Sequence, residues 1–570
     1  MTIRILVTIM SVLYSLSVSG QRYSHLNVFE GKRVTGSFHL GMNNNEENEY
    51  YVHHEHDRDS LRLNDQFVAY SNGTEDASFI TRFNDHKAVK RVKIAAQDLS
   101  ARIHYCHDKI WYMCYRMGAL TLNNKELYPA PDPLNPLKNF SGCILVFNRD
   151  LELDTSFVME DREAPNFVTY REGKYYVYGT AGATSDTVKL GGVSLYKPFI
   201  SMYDGKDIFM FELEGETYRG LSGLIFGGDR YDSPDRVLFD GEGNKYIYGT
   251  TEASIFKYKQ YQFQVVGDWF FGSYFILKVD EDDIPVYFHY FDGRHNDSEY
   301  YLGNSDIKLD AEGNLYVSAF SRNYNYYFDN RLLYQGSPGN DIMAFMKIDR
   351  LGNLAWANFA ECTNDANEKY NYTYLDTDQV IFAGLTSGTS LIMEGEIIQP
   401  IDTMRVTGMI TLDRNDGLLY DFQEIVPGLS TEMHGFEPMA NGNILVALSN
   451  YKPLPMQPDT FFTHTDEPFH VFLFEFNPEI RAMTGTLDEA GAGDGHTLVY
   501  PNPVQRGAAL CIDSDRTVRS GEVYDLGGRL VTRVVFGTGH KEMVLPDPGT
   551  YIVKILYTEG PATLHKLLVK

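Results

Sequence analysis

A segment of about 65 residues recurs along most of this chain, and that recurrence constrains the fold more than any single motif. One marker aligns "DKIWYMCY" (108), "GKYYVYGT" (173), "GNKYIYGT" (243), "GNLYVSAF" (313), "DQVIFAGL" (378) and "GNILVALS" (442), with starts 65, 70, 70, 65 and 64 residues apart. A second marker is an apolar run ending in an acid or Asn, at Asn84, Asn148, Glu214, Asp280, Asp349, Asp413 and Asn477. Its spacings are 64, 66, 66, 69, 64 and 64 residues. A repeated unit of this length that cannot bury its own apolar face must stack on its neighbours. Within residues 305–360 the order is "DIKLD", a turn, "LYVSAF", a long loop, "MAFMKID", a second turn and "LAWANFAE". That is four short strands joined by two tight Gly/Asn turns and one long connection.

Four strands repeated seven times predict an all-β protein, a seven-bladed β-propeller over residues 60–488. Forty Tyr and 35 Phe in 570 residues suit such a chain, since aromatic residues favour strands. No helical periodicity of useful length separates the strands, which excludes the α/β architectures. Residues 21–59 are expected to be an N-terminal segment in which residues 23–40 supply a ring-closing strand. The loop between the second and third strands is long in most repeats, at 117–142, 181–206, 251–272, 321–342, 386–406 and 450–469. Several of these loops hold two alternating runs about a polar turn, as in "LTLNNKELY", "VKLGGVSLY", "YYFDNRLLY" and "LIMEGEIIQ". Each is expected to be a small hairpin projecting from one face. Only about six residues separate "FVAYS" from "SFITRFN", so the first blade is expected to lack the insertion and leave a notch.

The ends of the chain differ from the repeat. Arg4, the apolar run Ile5 to Leu16 and Ser17-Val18-Ser19-Gly20 have the pattern of a secretory signal over residues 1–20. Nothing later reaches the ~18 apolar residues of a membrane-spanning helix. "GAGDG" belongs to a linker at 489–497, and residues 498–570 alternate strand patterns with Gly/Asn/Pro turns, the pattern of a small Ig-like β-sandwich.

Two resemblances follow from these residues. "DIMAFMKIDRLGNLAWANF" with the acid-x-x-Gly-Asn-x-Tyr-Val turn resembles the SBBP-like propeller repeat of exported bacterial proteins. The tail is similar to the type A C-terminal sorting domain of the type IX secretion system in Bacteroidota. The residues that carry this second likeness are Tyr500-Pro501-Asn502-Pro503, the turn at Asp525, Gly527 and Gly528, Gly549 and Tyr551 leading an apolar strand, and a last strand with Lys566 and Lys570. It covers about an eighth of the chain. The resemblance implies passage through the periplasm to the cell surface or medium, with the secretion machinery as a partner.

Formal charge is −27, and −28 once Arg4 is removed with the signal. Residues 491–570 hold nine basic and eight acidic residues, so the acidity lies in residues 21–490. That excludes the basic footprint of a nucleic-acid binder. Five cysteines without a CxxC pair exclude that kind of zinc site. Cys106, Cys114 and Cys143 leave two readings open, one disulfide among them or small buried thiols.

No catalytic, cofactor-binding or metal residue stands out. "HHEHD" (53–57) is read as a solvated loop without HExxH spacing. "DEDD" (280–283) is read as a solvated hairpin tip without EF-hand spacing. "GLSGLIFGG" (220–228) is not a GxSxG elbow. The functional signal is the aromatic and amide content of the long loops, with Trp269, Tyr324, Tyr326, Tyr327, Tyr372 and Tyr374 as candidate contacts to a glycan or protein. The competing reading is an exported hydrolase or lyase acting on polysaccharide or peptide, with acids on the same face.

Overall fold

The computed structural model describes the strands and most of the turns between residues 23 and 569. Residues 1–22, 267–271, 294–304, 364–371, 399–405, 451–468 and 477–496, with shorter stretches between strands, lie outside the described residues. Among the described residues every regular element is a strand, and no helix is long and apolar enough to cross a membrane. The chain forms two units, His25–Glu475 and a second beginning at Phe476.

Seven antiparallel sheets make up the first unit, each built on four strands in up-and-down order. Sheet 1 holds Phe38–Met42, Glu49–His56, Asp76–Asn84 and Lys87–Ala96. Sheet 2 holds Ser100–Cys106, Lys109–Arg116, Ser141–Phe147 and Leu153–Met159; sheet 3 holds Ala164–Arg171, Lys174–Ala181, Asp207–Glu214 and Gly220–Phe226. Sheet 4 holds Asp232–Phe239, Lys245–Thr251, Ser273–Val279 and Pro285–Gly293; sheet 5 holds Asp306–Leu309, Leu315–Ser321, Asn340–Ile348 and Leu354–Thr363. Sheet 6 holds Tyr372–Leu375, Gln379–Ser387, Val406–Asp413 and Leu419–Glu424. Sheet 7 takes Glu432–Pro438, Ile444–Asn450 and Phe469–Phe476, and its fourth strand is Tyr23–Gly31 from the other end of the unit.

The first strand of each sheet lies against the first strand of the next, and the first strand of sheet 7 lies against that of sheet 1. The unit is therefore a closed β-propeller, with first strands around the axis. Second and third strands are fully buried over long runs, as in Ser141–Phe147 and Leu315–Ser321, because both their faces meet a neighbouring sheet. That explains why these runs are continuously apolar rather than alternating.

The repeated turn has a definite chemistry. Asp310 Oδ1 accepts from the backbone N–H of Glu312 (3.1 Å) and Asn314 (2.7 Å), and Oδ2 accepts from Asn314 Nδ2 (3.0 Å) and the Tyr316 hydroxyl (3.2 Å). Gly313 sits at φ 86°, where a side chain would be strained. Asp240, Asp280, Asp349 and Asn148 cap their turns in the same way. The Asn or Asp that ends the apolar run at Asn148, Asp280, Asp349 and Asp413 is thus an Asx-type cap, which accepts the N–H groups a chain reversal leaves open. Glycine in "YGT" has a different cause. A Cβ on Gly179 or Gly249 would stand 2.2 or 2.1 Å from the carbonyl oxygen of Ala164 or Ser233, where the first strand bulges at a proline.

Three expectations need correction. The expected ring-closing strand is present at Tyr23–Gly31, but the N-terminal region is not otherwise separate from the propeller, because Phe38–Met42 and Glu49–His56 are the first two strands of sheet 1. The propeller accordingly starts well before residue 60. There is also no notch: Gln66–Tyr70 is not a strand of sheet 1 but half of an insertion hairpin with Ser60–Leu63. Alternation alone could not separate the two assignments, since a hairpin strand and a sheet strand share the same period. Finally, the insertion hairpins do not stand free. Leu120–Leu122 adds to the outer strand of sheet 1, Asn325–Phe328 to that of sheet 4, Leu391–Met393 to that of sheet 5, and Ser60–Leu63 to Tyr23–Gly31. Each insertion reaches back and extends the preceding sheet to six strands. Thr187–Tyr196 and Ile255–Gln264 form two-stranded hairpins, the second bridged to Gly227 at the end of sheet 3.

The second unit shows a three-stranded sheet (Thr497–Tyr500, Ala509–Ser514, Glu542–Val544) and a four-stranded one (Leu530–Val535, Val518–Asp525, Gly549–Tyr557, Thr563–Val569), both antiparallel. Tyr500 and Asp525 end strands, Gly549 begins one, and Tyr551 is buried. Lys566 lies in the last strand. Pro501, Asn502, Pro503, Gly527, Gly528, Lys570 and most of the expected linker lie outside the described residues.

Candidate functional site

One of the aromatic residues singled out from the loops, Tyr326, is not available as a surface contact. Tyr326 is fully buried in the hairpin clasp, between Phe291 (ring centroids 6.4 Å) and Phe359 (5.5 Å), and Phe328 packs beside it on Phe291 and His289. Tyr327 alternates to the other side and is half-buried. Tyr372 and Tyr374 belong to the first strand of sheet 6, not to a loop. Trp269 and Tyr324 lie outside the described residues. The correction has a simple cause. An added hairpin needs apolar side chains to seat it on the sheet it extends, and Tyr and Phe serve that need.

His53–His56 of "HHEHD" lie in a strand rather than a loop, and Asp57 lies outside the described residues. His53 is fully buried, with Nε2 2.5 Å from Ser78 Oγ and its ring edge-on to Tyr112. "DEDD" is a hairpin tip capped by Asp280, but Asp283 is not merely solvated. It pairs with Lys245 and with Lys259 (2.9 Å), and it accepts from the Tyr258 hydroxyl (3.3 Å). Among the described residues no group of three His, Cys, Asp or Glu could hold a metal ion.

Polar chemistry converges instead on the axis. The first strands contribute Arg102 and His104 (sheet 2), Asn166 (sheet 3), Asp235 and Arg236 (sheet 4), Asp306 and Lys308 (sheet 5), and Glu437 (sheet 7). A girdle of contacts links neighbours around the ring. His104 Nε2 is 2.9 Å from the Asn166 carbonyl oxygen, and Asn166 Nδ2 donates to Ser233 Oγ (3.3 Å). Arg236 Nε is 2.6 Å from Asp306 Oδ1, whose Oδ2 accepts the Thr373 N–H on sheet 6 (2.8 Å).

Other interactions cross the ring. Arg102 on sheet 2 acts electrostatically on Asp235 of sheet 4, and Arg236 of sheet 4 acts on both His104 of sheet 2 and Glu437 of sheet 7. These sheets are not neighbours, so the charges act on one another across the axis. Burial holds the Asp235 carboxyl up at about 6 although Arg102 and Arg236 oppose it. Glu437 is raised by burial too, against Lys308 and Arg236. His104 is pushed down to about 3, chiefly by burial, and stays neutral at physiological pH. Three cations thus face acids that burial makes reluctant to ionise.

A second carboxyl pair is buried. A Cβ on Gly227 would lie 2.6 Å from Asp232 Oδ2 and 3.2 Å from Asp207 Oδ1. Asp232 is fully buried and accepts the Gly228 N–H (2.6 Å), while Asp207 faces Lys197 at 3.7 Å. Burial raises both carboxyls. Their shown partners are the Gly228 backbone and Lys197, so the pair links sheet 3 to the start of sheet 4.

Sequence reasoning missed the channel residues. The signal was a charged residue inside an otherwise apolar first strand, as in "ARIHY" (101–105), "DRVLF" (235–239) and "DIKL" (306–309).

No known family profile and no curated protein matches the chain. Among solved structures it is similar to the Dos1 propeller, at 7% identity over 80% of this chain and 96% of that one, with a TM-score of 0.38. It is also similar to the quinohemoprotein alcohol dehydrogenase ADHIIG from Pseudomonas putida HK5, at 8% identity over 86% and 80% of the two chains and a TM-score of 0.35. BamB from Moraxella catarrhalis matches at 9% identity over 59% and 91%, with a TM-score of 0.24. Likenesses this distant carry no argument about function, and the propeller rests on its own strand order and ring contacts.

Proposed function

We propose that the chain is an exported binding protein whose propeller holds a glycan or protein ligand over its central channel. The observation that carries this reading is the gathering of Arg102, Asp235, Arg236, Lys308 and Glu437 on the first strands of sheets 2, 4, 5 and 7 around the axis. Rigid first strands hold these groups in place, so little order is lost on binding. The insertion hairpins clasp neighbouring sheets and stiffen the rim, and contact with the ligand passes to the axis. A binding screen of the mature protein against glycans and cell-surface proteins tests the reading. A ligand found there should bind at least tenfold more weakly to Arg236→Ala and Arg102→Ala, and equal affinity for wild type and both variants would refute the channel as the site.

Delivery by the type IX route is part of the same proposal. It is supported by the signal-like residues 1–20 and by the ordered tail motifs from Tyr500 to Lys570. Deleting residues 491–570 should leave the protein in the periplasm, and unchanged surface delivery would overturn the sorting role.

One observation favours the hydrolase or lyase reading. The Asp235 carboxyl, raised to about 6 between two guanidiniums, could exchange a proton near neutral pH. Turnover of a bound polysaccharide or peptide that is lost in Asp235→Asn, with binding intact, would establish it.

A further inference from the structure

We propose that Cys114 and Cys143 are joined by a disulfide in the exported protein. Strands Lys109–Arg116 and Ser141–Phe147 are antiparallel neighbours, and Cys114 stands directly opposite Cys143 in their register. Directly opposed residues share a sheet face, and their Cα atoms lie ~4.5–5.5 Å apart. That range falls inside the ~4.4–6.8 Å window a disulfide needs. Both side chains belong to one apolar cluster, between sheets 1 and 2, and both are thiols in the structure. Cys106 is directed to the opposite face, packing against the cluster that sheet 2 shares with sheet 3, so it cannot compete for either partner.

A second observation concerns Arg116, two residues from Cys114. Its guanidinium is 2% exposed, and among the described residues no carboxylate pairs with it. It donates instead to the Gly118 and Pro129 carbonyls and, through Nε, to Cys143 Sγ at 3.2 Å. The hydrogen bond from Cys114 and the Arg116 charge hold the Cys143 thiol below its ordinary value against burial. Burial alone pushes Cys106 up to about 12. Both thiols are buried in the folded protein, so the exchange takes place during folding, before the cluster closes over them.

The chemistry is thiol–disulfide exchange with a small-molecule or protein disulfide of the oxidising compartment. Cys143 Sγ gives up its proton and attacks one sulfur of that oxidant, expelling the other as a thiolate. Cys114 then loses its proton and attacks Cys143 Sγ, closing the Cys114–Cys143 bond and expelling the second oxidant sulfur. The oxidant gains two electrons and the two protons, leaving as a dithiol or two thiols. The position gives the bond a purpose. Cys114 and Cys143 flank the points where the chain leaves sheet 2 and returns to it around the hairpin Lys125–Tyr128 with Leu120–Leu122, so the link staples the neck of the insertion that extends sheet 1.

The inference rests on the export reading for its oxidant, so two preparations separate them. One is the protein recovered from the cell envelope or medium. The other is the same chain purified reduced from a cytoplasm and oxidised with glutathione disulfide during refolding. Non-reducing peptide mapping by mass spectrometry should find the Cys114–Cys143 peptide in both, and reduction should lower Tm by on the order of 5 °C. Cys106→Ser should keep the link. If both cysteines are alkylated without reduction in both preparations, or if Cys106 takes either partner, the pairing is overturned on geometry while export stands. A link that forms with glutathione but is absent from the cell-derived protein overturns the disulfide in the native protein through the export premise. Every outcome that overturns the pairing is read on wild-type protein, so none of those depends on a variant folding.

Discussion

Glu49 is almost fully buried at the start of its strand, and it keeps its charge because its partners were assembled from three places. Arg82 (3.1 Å) and Arg149 (2.8 Å) pair with it, and the Tyr51 hydroxyl donates to it (2.5 Å). Burial opposes ionisation, yet Arg149, Tyr51 and Arg82 together hold the carboxyl down at about 2. Its folded value is lower than its unfolded one, so its contribution to stability is present above about pH 4.5 and fades as pH falls through about 2. Glu49→Gln should therefore destabilise the protein at pH 7 by about 3 kcal/mol, because it strands two guanidiniums, and the deficit should shrink in urea titrations at the lowest pH where the wild type stays folded. Asp235 has the opposite sign. Its folded value lies above its unfolded value, so the stability it gives is complete below pH ~4 and is lost as pH rises through about 6. Asp235→Asn should narrow the Tm difference between pH 5 and pH 7.5; an unchanged difference would count against a buried, protonated Asp235. At this scale the turn acids were legible in the sequence, because an Asx cap acts within five residues. The partners of Glu49 were not, since Arg149 is a hundred residues away.

Strands were the legible element. Many of the described tight turns that join them are written locally, by Asp-x-x-Gly-Asn or by pairs such as Asn123-Asn124 and Asp329-Asn330 at positive φ. The hairpins at "LTLNNKELY" and "YYFDNRLLY" were readable for the same reason. Their destination was not, because an edge strand accepts any strand of matching length and only the ring brings the outer strand of the preceding sheet into reach. The same aromatic pattern would serve a ligand surface or a clasp, and burial decides for the clasp. Tyr326→Ala should thus cost about 3 kcal/mol of stability, seen as a lower denaturant midpoint. A midpoint unchanged by that substitution would show that the hairpin does not seat on Phe291 and Phe359.

On the scale of the whole molecule, the ring is held shut by one strand borrowed from the far end of the unit. Tyr23–Gly31 is the fourth strand of sheet 7 and also receives the hairpin Ser60–Tyr70. Deleting residues 23–31 should remove that closure and expose an edge strand to other chains. The expected result is a lower, broader melting transition and oligomers on size-exclusion chromatography; a monomer with the wild-type Tm would contradict closure by this strand. By itself the sequence determined the all-β class, the four-strand period and the turn chemistry, since each depends on residues close together in the chain. Tertiary structure alone decided where the ring closes, which aromatic side chains are buried and which charges share the axis. The reason is physical: alternation tells a side chain which face of its strand it occupies, but only the packed ring determines what that face meets.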